Sequence, residues 1–179
     1  MDFAKQPFEI FVGEEKVLAR SVIIATGASA QRLRVTGEDK FWQRGASACA
    51  VCDGGLPIFR GQKVVVVGGG DAAVEEALFM TKFASEVVML VRRDVLRASK
   101  AMQEKLKKNE KVQIFWNSEV IECLGETTLS AVKVKNNQTE NEEILECKGL
   151  FYAIGHTPNT EFLQGQIELD IDGYIVTEK

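Results

Sequence analysis

Cysteine is scarce in this chain, with four in 179 residues. That is too few for a disulfide scaffold at this length, so a reducing compartment, the cytoplasm by default, is expected. Histidine is scarcer still, at one residue. Net charge is also small, −4 at pH 7, and gives no reason to expect nucleic acid or a membrane surface as partner. No apolar run approaches the roughly 20 residues of a membrane span, and Met1-Asp2-Phe3-Ala4-Lys5 does not read as a signal peptide. What remains is core-forming material in ordinary measure, 45% hydrophobic against 27% charged, as in a soluble globular protein with an adequate core.

The stretch from Lys63 to Arg97 organises the rest. Four valines, Val64 to Val67, run into Gly68-Gly69-Gly70. A helical pattern follows, with Val74, Ala77, Leu78 and Thr81 spaced to one face, and then a second apolar run, Glu86 to Val91. Strand, glycine turn, helix, strand is the unit that binds dinucleotides. Gly68 suits a positive φ, and Gly70 lets a pyrophosphate approach the backbone. Asp71 opens the helix, and Ala73 fills the small position where helix crosses strand. The helix start and its dipole would receive the phosphate charge.

At the end of the second strand a carboxylate would mark NAD by bonding the ribose 2′-OH. Here Arg92 and Arg93 stand there, with Arg97 just beyond. Guanidinium forks suit a 2′-phosphate, so NADPH is the expected nucleotide. The plainer alternative is a solvated basic turn.

Along the chain, Phe8–Val12 and Val17–Ala19 read as a hairpin feeding Val22–Ala25, an apolar β-branched run expected to be a strand buried on both faces. Such a strand needs neighbours that residues 1–20 cannot supply, so the chain is expected to begin in the middle of a domain. Gln31–Lys40 is polar and reads as a linker. After the arginines come an amphipathic helix over Ser99–Asn109 and a third parallel strand, Val112–Trp116. Three β-runs follow, Val120–Leu124, Leu129–Lys135 and Glu142–Cys147, expected as a meander laid over the sheet. Gly149–Ile154 returns as a buried strand, and the segment with the Asp172-Gly173 turn belongs with the N-terminal part. The expected organisation is a three-layer Rossmann-like α/β domain over residues 33–154, carried between two parts of a second domain, 1–32 and 155–179.

Cys49-Ala-Val-Cys52 is the second chemical feature. Two cysteines at this spacing can close a small disulfide, one sulfur attacking and the other resolving. Asp53 supplies a carboxyl group able to move a proton to or from a leaving thiol, and Gly54 and Gly55 would leave the approach uncrowded. A structural zinc site would want two more ligands, and only the isolated Cys123, Cys147 and His156 remain. A pair of ordinary buried cysteines is the other alternative. Cys123 and Cys147 are assigned to packing, and His156 to a hydrogen-bonded structural role.

Five motifs in order, Ala25-Thr-Gly-Ala28, Cys49-Ala-Val-Cys-Asp-Gly54, Gly68-Gly-Gly-Asp-Ala-Ala-Val-Glu-Glu-Ala77, Arg92-Arg-Asp-x-x-Arg97 and Ile154-Gly-His-x-Pro-Asn159, resemble the low-molecular-weight NADPH-dependent thioredoxin reductases. Residues Val91 to Gln103 look especially like the plastid-type and related bacterial enzymes, although many members carry His where Val91 stands here. The resemblance implies that NADPH reduces FAD, the flavin reduces the cysteine disulfide, and the dithiol reduces thioredoxin. It implies Cys52 toward the flavin, Cys49 toward thioredoxin and Asp53 as proton donor. Gly68, Gly70 and Ala73 would cradle the pyrophosphate, Asp71 would be a further cofactor-binding position, Glu75 would lie near the nicotinamide, and Arg92, Arg93 and Arg97 at the 2′-phosphate. Thr26, Gly27, Ile154 and Gly155 would be cofactor-binding positions at the two crossings between domains.

The resemblance further implies a homodimer for the full-length protein and a cytoplasmic location, or the plastid stroma for a plastid-type enzyme. The family's first FAD-binding glycine fingerprint is not matched, so the FAD site is expected to be incomplete in these 179 residues. Two other readings compete: a non-catalytic NADP(H)-binding redox module, and the flavoprotein reductase partner of a peroxidase, a group that prefers NADH and lacks the arginine pair.

Overall fold

A computed structural model describes residues 2–177. The chain divides into two compact units, residues 31–155 in one and the segments up to Ala30 and from His156 in the other.

The segment up to Ala30 contributes the hairpin strands β1 (Phe8–Val12) and β2 (Glu15–Ala19) and strand β3 (Ala28–Ala30). The unit of residues 31–155 then opens with α1 (Glu38–Phe41), β4 (Ala46–Ser47), α2 (Ala50–Asp53), a 3₁₀ turn at Pro57–Phe59 and β5 (Lys63–Val67). Next come α3 (Asp71–Met80), β6 (Glu86–Val91), α4 (Lys100–Lys107) and β7 (Val112–Trp116). The meander strands are β8 (Ser118–Gly125), β9 (Leu129–Asn136) and β10 (Glu142–Glu146), and β11 (Gly149–Tyr152) closes the unit before β12 (His156–Pro158).

The order β4-β11-β5-β6-β7 makes a five-stranded sheet, parallel at every pairing. Parallel strands are covered on both faces, and β5 shows how its valines serve both. Val64 and Val66 point into a core with Ala73, Val74, Ala77 and Met80 of α3. Val65 and Val67 point the other way, into a core with Val120, Leu129, Val132 and Val134 of the antiparallel meander. Period-two alternation in one strand therefore builds a three-layer unit of helices, parallel sheet and meander. The fold is Rossmann-like, as the pattern of residues 63–116 predicts.

The helix face shifts slightly from expectation. Ala73, Val74, Ala77 and Met80 are buried, whereas Leu78 and Thr81 are half-buried. Small residues at 73 and 77 set the close approach of α3 to the sheet.

In the other unit, β1 and β2 pair antiparallel through Gly13, whose φ is +63°. β3 pairs antiparallel with β12, so His156 lies opposite Ala30 and Pro158 opposite Ala28. A turn over 170–174 is held by the Asp170 carboxylate, which accepts from the Asp172 and Tyr174 N–H groups.

Two expectations are corrected. Residues 21–27 form no strand, and Ile23 is 92% exposed; β-branched content cannot make a strand without a neighbouring ladder, and none lies beside it among the described residues. The 31–40 segment is not a bare linker. It contains the start of α1, bridges Thr36 to Glu122, and places Arg32 in ion pairs with Glu38 (2.8 Å) and Asp39 (2.9 Å) while stacking over Trp42. His156 is exposed, and its part in the structure is the backbone pairing of β12.

No helix among the described residues is long and apolar enough to cross a membrane.

Candidate active site

Strand β4 leads directly into the cysteine pair. Cys49 caps the start of α2, with its sulfur accepting from the Cys52 N–H at 3.2 Å, and Cys49 and Cys52 are joined as a disulfide with Cα atoms 5.3 Å apart. Cys52 is exposed and Cys49 half-buried. Val51, Leu56 and Ile58 around them are exposed apolar side chains.

Ser47 is a residue that sequence reasoning missed. Its side chain is buried, 4% exposed. The hydroxyl donates to Asp53 Oδ2 at 2.6 Å and accepts from the Cys49 N–H at 3.1 Å. One oxygen thus ties the proton-donor candidate to the backbone of the first cysteine. A hydroxyl two residues before a cysteine pair carries no motif of its own. The usable signal is that the N–H of Cys49, at the start of a helix, must find an acceptor.

Gly54 is also different from expectation. Rather than clearing an approach, it is buried, and a Cβ there would meet Met80 Sδ and the Ala50 carbonyl oxygen. The glycine lets α2 lie closely on α3. Gly55 is half-buried, with only the Phe83 ring within reach of an added Cβ.

The dinucleotide turn lies at the other end of α3. Gly68 has φ +143°, and a Cβ would collide with the Ala153 carbonyl and the Ala73 side chain. Gly70 has open space where a Cβ would stand, and no side chain caps the helix that begins after it. An uncapped helix start beside an unobstructed glycine is what an approaching phosphate requires.

The loop carrying the arginines is fastened to this turn. Gly69 O accepts from the Arg97 N–H (2.7 Å) and the Ala98 N–H (3.1 Å). The Asp71 carboxylate accepts from both the N–H and hydroxyl of Ser99, at 2.8 and 2.9 Å. The Arg92 carbonyl accepts from Asn137 Nδ2 and the Arg93 carbonyl from the Asn117 N–H. With the backbone held, the side chains of Arg92, Arg93 and Arg97 stay exposed and make no ion pair with a described residue. They line a cleft of about 240 Å³ together with Gly68, Gly69 and Ile154.

The structure therefore brings together Gly68, Arg92, Arg93, Arg97 and Ile154 in one cleft, with Gly70, Asp71 and Ala73 adjoining in sequence on α3. Glu75 is exposed on that helix. Cys49, Cys52 and Asp53 belong to the same unit. Thr26 and Gly27 belong to the other unit, where Asn159 binds both: its side-chain amide donates to Thr26 O and its N–H to Gly27 O, each at 3.0 Å. Gly155 has φ +104°, and its carbonyl accepts from the Gln31 N–H.

The two remaining cysteines contrast with the pair. Cys123 and Cys147 are buried free thiols, and burial pushes them up to about 11 and about 12. They remain protonated and chemically quiet near neutral pH.

A parallel sheet with a glycine-turn helix and a reachable disulfide in one unit defines a nucleotide-linked disulfide oxidoreductase architecture. The chain belongs to the pyridine nucleotide-disulphide oxidoreductase family, whose model matches residues 2–179. Within that family it is similar to thioredoxin reductases. It is 52% identical over 181 residues to "Thioredoxin reductase" of Dictyostelium discoideum, covering 99% of this chain and 57% of the relative. It is 52% identical over 185 residues to "Thioredoxin reductase 2" of Arabidopsis thaliana, covering 99% and 48%. Among solved structures, the thioredoxin reductase from Giardia duodenalis superimposes with a TM-score of 0.86 at 43% identity, covering 99% of this chain and 58% of that one. The chain thus spans about half the length of the relatives it matches.

Proposed function

We propose that this chain carries the NADPH-binding and disulfide-bearing part of a thioredoxin reductase, in which electrons from NADPH end on the Cys49–Cys52 disulfide and pass to thioredoxin. The observation that carries this reading is that three unpaired arginines at an open glycine turn and an accessible disulfide lie in the same unit. An NAD enzyme would need a carboxylate where Arg92 stands.

The residues fit a dinucleotide. The α3 start and Gly70 would hold the pyrophosphate, and Gly68 and Ala73 keep the helix close enough to its strand for that. Arg92, Arg93 and Arg97 would hold the 2′-phosphate, with Asp71 fixing the loop that presents them. Glu75 would stand toward the nicotinamide. When bound, FAD would supply a two-electron relay between nicotinamide and disulfide; Thr26 and Gly27 are the residues here assigned to it, and Ile154 lines the cleft of the arginines. Among the described residues of the unit containing Thr26, no glycine turn leads into an α-helix, so the FAD pyrophosphate is not held by these residues.

At the disulfide, Cys52 is assigned to accept electrons from the cofactor side and Cys49 to attack the disulfide of thioredoxin. Reduction opens the S–S bond with two electrons and two protons, and Asp53, oriented by Ser47, is assigned to move the proton at the leaving sulfur. Homodimerisation of the whole protein and a cytoplasmic or plastid-stromal location complete the reading by analogy with the family resemblance.

The test is paired titration of NADPH and NADH into the chain, with reversible reduction of Cys49 and Cys52 followed by mass mapping. Preference for NADPH together with a pair that opens and recloses supports the assignment. Equal nucleotide affinities, or stoichiometric zinc protecting both sulfurs, would overturn it.

A further inference from the structure

One titratable group near the cysteines has no role in the chemistry above. Glu76 lies on α3, the helix on which α2 is packed through Ala50, Gly54 and Met80. Its Oε2 is buried and has no hydrogen-bond partner among the described residues. The backbone of Ala50, directly after Cys49, faces the carboxyl. A carboxyl with a buried, unpartnered oxygen is costly to keep charged.

We propose that Glu76 is a positioning residue of the disulfide centre, its charge setting how readily the reduced Cys49–Cys52 pair forms a thiolate. The proposal rests on reading that pair as reducible. Reduction converts one S–S bond, two electrons and two protons into two thiols, and the attacking form arises when one thiol releases its proton to solvent. Neutral Glu76 places no charge against the peptide that follows Cys49. Ionised Glu76 places a negative charge against the same peptide that follows Cys49, and so opposes a second negative charge on sulfur. Linkage makes the effect reciprocal: a thiolate at the pair also holds the Glu76 proton more tightly.

Burial lifts the Glu76 carboxyl to about 7, opposed by the Ala50 backbone, which places its titration where the thiols are used. The charged groups on the elements packed against α3 are Asp53 on α2, Lys100, Glu104, Lys105 and Lys107 on α4, Lys63 on β5 and Glu86 on β6. Asp71 and Glu75 stand on α3 itself.

The experiment reduces the chain with dithiothreitol, which leaves as its cyclic disulfide, and removes it by desalting. The rate of iodoacetamide labelling at Cys49 and Cys52 is then followed by mass mapping from mildly acidic to alkaline pH. The wild-type chain, Glu76→Gln and Glu76→Ala are compared, with circular dichroism confirming the fold. Removing the charge should accelerate labelling about threefold or more at mildly alkaline pH, equally in the two variants, and move the profile's midpoint down. If Glu76→Gln superimposes on wild type, Glu76 is only a hydrogen-bond acceptor and the proposal is overturned, whatever Glu76→Ala does. If wild-type Cys49 and Cys52 cannot be reduced in the folded chain, the redox reading itself fails and takes this proposal with it. A wild-type pair that opens and recloses, with Glu76→Gln still matching it, overturns the Glu76 proposal alone.

Discussion

The Asp71 carboxylate accepts two hydrogen bonds from Ser99, one from its backbone and one from its hydroxyl. The first residue of α3 thereby fixes the start of α4 and the loop between Arg92 and Ala98. Asp71→Ala removes both bonds and should lower unfolding free energy by about 1–2 kcal/mol. NADPH affinity should fall with it, because the loop carrying Arg97 loses one of its two anchors, while Asp71→Asn should recover part of both losses. Urea unfolding and nucleotide titration check the two effects separately.

Arg92→Ala should weaken NADPH more than NADH. Loss of one charge-assisted contact to phosphate is expected to cost about 1.5–3 kcal/mol, and NADH has no group for it to hold. Isothermal titration of both nucleotides measures the difference. An equal loss for NADPH and NADH would assign Arg92 to general electrostatics instead.

Ser47→Ala strands two groups at once, the Cys49 N–H and the Asp53 carboxylate. Leaving these part-buried groups without their partner should cost about 1–3 kcal/mol. Stability should fall by that amount in denaturant titration, with the parallel sheet intact by far-ultraviolet circular dichroism.

Glu76 should make stability depend on pH in an unusual direction for a carboxyl. Its value rises from 4.5 to about 7 on folding, so between those values the folded chain binds more protons than the unfolded chain. Stability from this group is complete below the unfolded value and declines as pH rises through the folded one. Glu76→Gln has no such decline. The melting-temperature difference between Glu76→Gln and wild type should therefore widen in favour of glutamine from pH 5 to pH 8.

After reduction, iodoacetamide should label Cys49 and Cys52 in the folded chain and leave Cys123 and Cys147 unmodified until denaturant is added. The contrast follows from an exposed pair against two buried thiols held well above the usual range. Labelling of Cys147 at rates comparable to Cys52 would contradict the packing role given to it.

What the sequence revealed was whatever a short window contains. Four valines, three glycines and a small-residue helix face determine β5, its turn and α3 through neighbours along the chain, so Lys63–Val91 was legible in detail. The meander was legible because Asn136-Asn137 lies between two β-runs. The segment at Val22–Ala25 misled because β-branching states a preference, whereas a strand also needs a partner. The Ser47–Asp53, Asp71–Ser99 and Asn137–Arg92 bonds connect residues separated by 6, 28 and 45 positions. Only the first falls inside a window that a motif could describe. Gly54 was visible as a glycine, but its purpose depended on Met80, which reaches it only after α2 and α3 have packed.

The Cys49–Cys52 link is separated by three positions, so the ring it closes contains very little chain. Restricting so short a loop removes only about 2 kcal/mol of unfolded-state entropy. Most of the fold's cohesion resides instead in the valine strands and the two cores on either face of the sheet. Opening the bond consequently leaves the architecture standing. On the proposed function, the link would serve as a detachable clasp on a finished frame, undone and refastened without the frame having to be rebuilt.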